Sequence, residues 1–308
     1  MGFAEQPSAG VRRLILGTAQ FGMPYGVTNR YGQVPVTDAR EILASAFDAG
    51  ISLIDTASCY GASEYVLGQC LAELPDMGIV TKTIAIPSAA IGSDDLERVH
   101  EGVARSMEQL QRTNLDGLLV HHGRDLLKPG GEALAELLLE FKSRGIARRV
   151  GVSAYDAEEI DNVLLLFKPD IVQLPLNIFD QRLIRSGHIQ ALRSAGIEIH
   201  ARSAFLQGIL LAMRAALPAH FQNFSNDFSR YHTFLNDNEL SPLTACLGFM
   251  TQQSGVDRII VGVTSRAEME EIVAAFPKSA LPAMSALACA SLELVDPRMW
   301  PKAVELPK

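Results

Sequence analysis

The sequence predicts an α/β protein folded as one (β/α)8 barrel, on the strength of three observations. Short apolar, β-branched runs recur along the chain. Amphipathic stretches of helical period lie between them, and no Pro/Gly/Ser-rich linker divides the 308 residues. Within the runs the apolar residues are consecutive rather than alternating, as strands covered on both faces require.

In chain order the strands are expected at "LILGTA" (14–19), "SLIDTA" (52–57), "GIVTKT" (78–83) and "DGLLVHH" (116–122). Four more follow at "RRVGVSAY" (148–155), "DIVQLPL" (170–176), "IEIHARS" (197–203) and "RIIVGVT" (258–264). The first helix places Ala39, Ile42, Leu43, Ala46 and Phe47 on one face and stops at Gly50. After the third strand, Leu96, Val99, Val103, Met107 and Leu110 repeat that pattern. Ser93 is the expected N-cap, followed by two acids that suit the helix dipole. Further helices are marked by Leu134, Leu137, Leu138 and Phe141, and by Ile160, Val163, Leu164 and Phe167. Ala191 and Leu192 belong to another, ended by Gly196; Leu243, Ala245 and Leu247 mark a weaker one. Met269, Ile272, Val273 and Phe276 carry the last.

Eight strand–helix units in a chain of this length give a TIM barrel, expected as a single domain over residues 1–308. A doubly wound open sheet is the rival. It would carry a G-x-G-x-x-G turn after its first strand, and "GTAQFGMPYG" lacks that spacing. One connection, from Phe205 to Ser241, is a long loop after strand seven, crowded with Phe221, Phe224, Phe228, Tyr231 and Phe234. Long loops at this barrel face usually cover or shape the site. A surface helix packing the aromatics against the barrel is an equal reading.

With 27 basic and 35 acidic residues the net charge is -8, which disfavours nucleic acid or an anionic membrane as the main partner. No apolar run approaches the roughly 20 residues of a membrane span. The start "MGFAEQPSAG" lacks a signal peptide's basic and apolar parts, so a cytoplasmic protein is expected. Cys59, Cys70, Cys246 and Cys289 show neither C-x-x-C pairing nor metal-ligand spacing, so free thiols and no metal are expected.

In a barrel of this kind, chemistry collects at the C-terminal ends of the strands. Strand two ends in Asp55 with Tyr60 in its loop, strand three in Lys82, strand four in His121 and strand five in Ser153; strand six carries Gln173. Asp55 and Lys82 on adjacent strand ends can compensate each other's buried charge. An ammonium beside the Tyr60 hydroxyl would favour the ionised phenol, easing proton donation at neutral pH. His121 would orient or polarise a carbonyl oxygen beside it.

The ordered landmarks "GTAQFG", "LIDTASCYG" followed by "SEYVLG", "VTKT", "LLVHH", "GVSAY" and "VQLPLN" resemble the aldo-keto reductase family over nearly the whole chain. The resemblance implies a reduction of an aldehyde or ketone by hydride from a nicotinamide cofactor, NADPH before NADH, held without a Rossmann motif. Tyr60 would be the proton donor, Lys82 its pKa-lowering partner, Asp55 the anchor of Lys82 and His121 the carbonyl-orienting group. Ser153 and Gln173 would hold the carboxamide, with Ala154 where the family often has Asn. Gly17 and Thr18 from the opening landmark, with Arg202 and Ser203 from "ARSAF", would also face the cofactor. Arg202 would lie flat on the nicotinamide or reach a phosphate. Gly262, Thr264, Ser265 and Arg266 would hold the adenosine 2′-phosphate at a helix N-terminus, with Ile272 in place of a common asparagine. The implied partner is a small carbonyl substrate.

Other readings stand beside these. Lys82 is also open to a role as a Schiff-base lysine in a lyase, and the barrel to one as a non-catalytic nucleotide-binding regulatory subunit. Cys59 reads as a small buried hydrophobe. His122 is expected to point away from the pocket, since successive strand residues alternate sides. His200 reads as a core histidine and Trp300 as part of a packed tail.

Overall fold

The computed structural model describes residues 10–277 and 279–301. Eight parallel strands close into a barrel in chain order: β1 Leu14–Gly17, β2 Leu53–Asp55, β3 Gly78–Lys82, β4 Gly117–Val120, β5 Val150–Ser153, β6 Ile171–Pro175, β7 Glu198–Arg202 and β8 Arg258–Gly262. All eight lie inside the apolar runs of the sequence. Each is shorter than its run, because ladder pairing ends before the apolar residues do. Ile15, Leu53, Val80, Leu119 and Ile171 cluster with Ile260 as one apolar core, and their neighbours Leu14, Leu16, Ile54 and Val120 belong to a second, larger one. Consecutive apolar residues thus serve two cores at once, each buried side chain contributing roughly 1.5–3 kcal/mol relative to exposure. The barrel and its helices form a single domain.

The ladder also brings the polar strand ends into line. Gly17 pairs in register with both Asp55 and Gly262, and Ser153 with Gln173. The helices occupy the gaps as expected, with small corrections. In the helix Val36–Asp48, Ala39, Ile42, Leu43 and Ala46 are buried, but Phe47 stays at the rim, 37% exposed. Ser93 is the first helical residue rather than the cap; Gly92 caps, its N–H donating to Asp95 Oδ2 at 3.2 Å. The helix Ser63–Cys70, between β2 and β3, was not marked by periodicity. Its eight residues give too short a pattern, although Val66, Leu67 and Cys70 are buried.

Both readings of the long connection hold, each for one part of it. Phe205, Gln207, Gly208 and Leu211 line the cavity described below. The later part forms the helix Ser225–Asp237, which buries Phe228 and Tyr231 edge-on to Phe179, at 5.4 and 5.6 Å between centroids. Trp300 packs on Phe221 at 5.1 Å and donates from Nε1 to the Leu294 carbonyl, in keeping with a packed tail. His200 is fully buried, with Nε2 at 2.9 Å from Glu198.

Candidate active site

At the C-terminal mouth of the barrel lies a cavity of about 590 Å³, within the roughly 300–1,000 Å³ of small-molecule sites. Gly17, Asp55, Ser153, Arg202 and Gly262, each the last residue of its strand, line it together with Gln173. Behind Asp55, Lys82 is 1% exposed. Its Nζ donates to Asp55 Oδ1 and Oδ2 at 2.9 and 2.8 Å and to the Thr56 carbonyl at 2.8 Å. Gln173 Nε2 adds a fourth contact, 2.7 Å to Asp55 Oδ1. The charge on each side of this buried pair is therefore matched and hydrogen-bonded, the condition under which such pairs are tolerated.

Tyr60 is presented to the cavity by a loop whose shape depends on two glycines. A Cβ on Gly22 would lie 1.7 Å from the Tyr60 carbonyl oxygen, and one on Gly61 (φ +56°) would lie 2.3 Å from the Gly22 oxygen. Two backbones thus pass where only glycine fits. Ser63 completes the clamp by donating to the Thr18 carbonyl at 2.8 Å, while Thr18 donates to the Asp55 carbonyl at 3.0 Å. Thr18, expected to face the cofactor, lines the cavity but is fully buried and holds this junction together.

The Lys82 ammonium lies 5.1 Å from the centroid of the Tyr60 ring. The expected acidification of the phenol is not what the geometry produces. Burial, and then the Asp55 carboxylate, push the Tyr60 hydroxyl above its ordinary value, with Arg202 opposing. Burial is the larger cause, and Lys82, whose Nζ donates to Asp55 and to the Thr56 carbonyl, does not reverse it. His121 stands edge-on to Tyr60, 5.8 Å between ring centroids. Burial and the Lys82 charge hold its pKa down at about 2, so the imidazole is neutral.

Two expectations about neighbours of these residues are overturned. His122 does not point away: it lines the cavity and stacks on His121 at 4.8 Å and 19°. The strand ends at Val120, so both histidines lie past the region where sides alternate. Cys59 is exposed rather than buried, and its Sγ lies 3.3 Å from His121 Nδ1. Although the residue is exposed, partial desolvation of the sulfur against its neighbours raises its pKa, so the thiol keeps its proton.

Arg202 lies 4.1 Å from the centroid of Tyr155, and Arg298 from the C-terminal segment lies 3.8 Å from the same centroid. Tyr155 and Tyr25, both cavity-lining, were not singled out in the sequence, although "GVSAY" and "GMPYG" carry them. Ser203 lines the cavity with φ +65°, and Leu206 (+48°), Gln207 (+55°) and Gly208 (+90°) follow in the left-handed region. Strain of this kind concentrates at ligand-binding segments. At the far end Gly262 and Thr264 line the cavity, but Ser265 and Arg266 do not. Ser265 caps the helix Arg266–Ala274 by accepting from the Glu268 N–H at 3.2 Å. Arg266 is exposed and paired with Glu270 at 2.7 Å. Glu268 and Glu271, absent from the sequence-based set, do line the cavity.

An eight-stranded parallel barrel with a carboxylate, ammonium, phenol and imidazole converging on one cavity defines a barrel protein equipped for acid–base chemistry. The chain belongs to the Aldo/keto reductase family, whose profile matches residues 13–293. It is 28% identical to the NADH-specific methylglyoxal reductase of Escherichia coli over 267 residues, covering 76% of this chain and 81% of that protein. A probable voltage-gated potassium channel subunit beta from Oryza sativa is 25% identical over 284 residues, 81% of this chain and 85% of that one. Matches to a Mycobacterium aldo-keto reductase and to one from Bacillus subtilis span about half of those relatives, 51% and 46%. Among solved structures, an aldo-keto reductase from Bacillus halodurans superposes with a TM-score of 0.71 over 94% of this chain and 95% of that one, at 19% identity. Among the described residues no group of His, Cys, Asp or Glu is placed to hold a metal, and no helix is long and apolar enough to cross a membrane.

Proposed function

We propose that the protein is a nicotinamide-dependent carbonyl reductase that converts a small aldehyde or ketone to an alcohol. The observation that carries this reading is the convergence of Tyr60, His121 and the Asp55–Lys82 pair on one cavity. A reduced nicotinamide dinucleotide, when bound, supplies the hydride. The cavity's residues fit such a group: Ser153 and Gln173 lie side by side on adjacent strands. Gln173 gives one N–H to Asp55 and keeps its amide oxygen for a carboxamide donor. Tyr60, held protonated by burial, gives its proton to the carbonyl oxygen as negative charge develops there. His121, neutral, steadies the same oxygen. The role requires the tautomer in which Nδ1 accepts from the Cys59 S–H, 3.3 Å away, and Nε2 carries the donated proton.

The Schiff-base reading has less support. A nucleophilic lysine needs a free amine, and Lys82 Nζ donates to three oxygens, two of them on one carboxylate. A regulatory subunit without turnover is kept as a second reading by the similarity to the potassium channel subunit. Tyr60→Phe tests the choice. It should lower carbonyl-dependent cofactor oxidation by at least about 100-fold while nucleotide binding persists. Unchanged turnover in the variant would remove the proposed chemistry, and no turnover in the wild type with any of a panel of aldehydes would favour the docking role.

A further inference from the structure

The far end of the cavity is acidic. In a ring of eight strands β4, which leads to His121, faces β8, which leads to Gly262 and Thr264. If the nicotinamide sits at Tyr60, as the proposed reduction requires, the adenosine half of the cofactor falls on the β7 and β8 side. The groups expected to greet a 2′-phosphate there are already engaged. The Thr264 N–H and hydroxyl both donate to Glu268 Oε2, at 2.6 and 3.1 Å. The one arginine of that segment, Arg266, points to Glu270 and is 59% exposed, outside the cavity lining. Arg202, the sole Lys or Arg among the described lining residues, lies over Tyr155 beyond β5. What faces the space instead is Glu268, whose Oε1 has no protein donor among the described residues, and Glu271.

We propose that Glu268, supported by Glu271, selects NADH over NADPH. A carboxylate accepts hydrogen bonds from the 2′- and 3′-hydroxyls of an unphosphorylated ribose, whereas a 2′-phosphate calls for a cation such as arginine. A phosphate placed here would meet two like charges and find the Thr264 donors taken. Thr264 acts by fixing the Glu268 rotamer, so the carboxylate is pre-organised for a diol. The inference rests on the reductase reading for its placement of the nicotinamide, but not on turnover.

The test is equilibrium fluorescence titration of the full-length protein with NADH and with NADPH. NADH is expected to bind at least about 10-fold more tightly, a difference of about 1.4 kcal/mol. Glu268→Gln should narrow that ratio, and Thr264→Arg combined with Glu268→Gln should reverse it, with circular dichroism confirming the fold. NADPH binding as tightly as NADH to the wild type, or a ratio unmoved by Glu268→Gln in a folded variant, overturns the assignment and leaves the reductase reading standing. Binding of neither nucleotide overturns both.

Discussion

Asp55→Asn isolates the electrostatics on which the site depends. The substitution keeps the size of the side chain and the acceptor for Gln173, but places an NH2 against Lys82 Nζ, where a carboxylate oxygen stood at 2.8 Å. An ammonium only 1% exposed then loses its counter-charge and one of three acceptors. Removing one partner of a buried pair costs about 3–5 kcal/mol. At about 2–4 °C per kcal/mol for a protein of this class, the melting temperature should fall by roughly 6–20 °C. A control separates lost charge balance from lost packing. Asp55→Leu with Lys82→Met removes both charges and leaves Gln173 Nε2 without its acceptor and the Thr56 carbonyl without its donor, two neutral groups whose loss costs less than one uncompensated buried charge. The double variant should therefore melt above Asp55→Asn, though below the wild type. Thermal melts followed by circular dichroism decide it. A single variant melting within about 2 °C of the wild type, or a double variant no more stable than the single, would refute the argument that the pair is held by mutual neutralisation.

The remaining expectations concern the loop, the pH profile and the aromatic packing. Gly61→Ala puts a methyl group 2.3 Å from the Gly22 oxygen in a left-handed backbone. It should cost about 1–3 kcal/mol in stability, and by displacing Tyr60 lower kcat by up to about 100-fold; an unchanged kcat would show that the close approach does not position the phenol. Because His121 is held neutral down to about pH 2 and the Tyr60 phenol is raised, reduction should show no rise or fall from either group between about pH 6 and 9. A limb near pH 6.5 that disappears in His121→Gln would contradict that. Phe221→Ala should destabilise by about 3–5 kcal/mol, since this ring is fully buried against Trp300; a urea midpoint equal to that of the wild type would count against it.

The barrel was legible because buried parallel strands leave uninterrupted apolar runs. The Asp55–Lys82 pair was legible because opposite charges ending adjacent strands have few other ways to be accommodated. What stayed hidden lies past the strand ends, where no period constrains direction. His121 and His122 stack on one side because β4 has already stopped, and Cys59 reaches His121 through a turn of the β2 loop. The acidic end of the cavity was partly readable. Arg266 and Glu270 stand at i and i+4 on a helix, a spacing that favours their pairing over a ligand contact. The Thr264–Glu268 contact spans the helix start, so the cap that ties the segment together also places the carboxylate.

The raised Tyr60 hydroxyl reshapes the roles around it. A phenol acidified by a bare ammonium would be partly ionised near neutral pH and unable to donate. Burial and the Asp55 carboxylate, which Lys82 does not offset, instead leave the phenol protonated, the form the proposed reduction would consume. The drive for transfer then comes from the substrate oxygen, which becomes a stronger base than phenolate as the carbonyl is reduced. In the proposed reduction, burial and the Asp55 carboxylate therefore hold the proton on Tyr60 until the substrate oxygen is basic enough to take it.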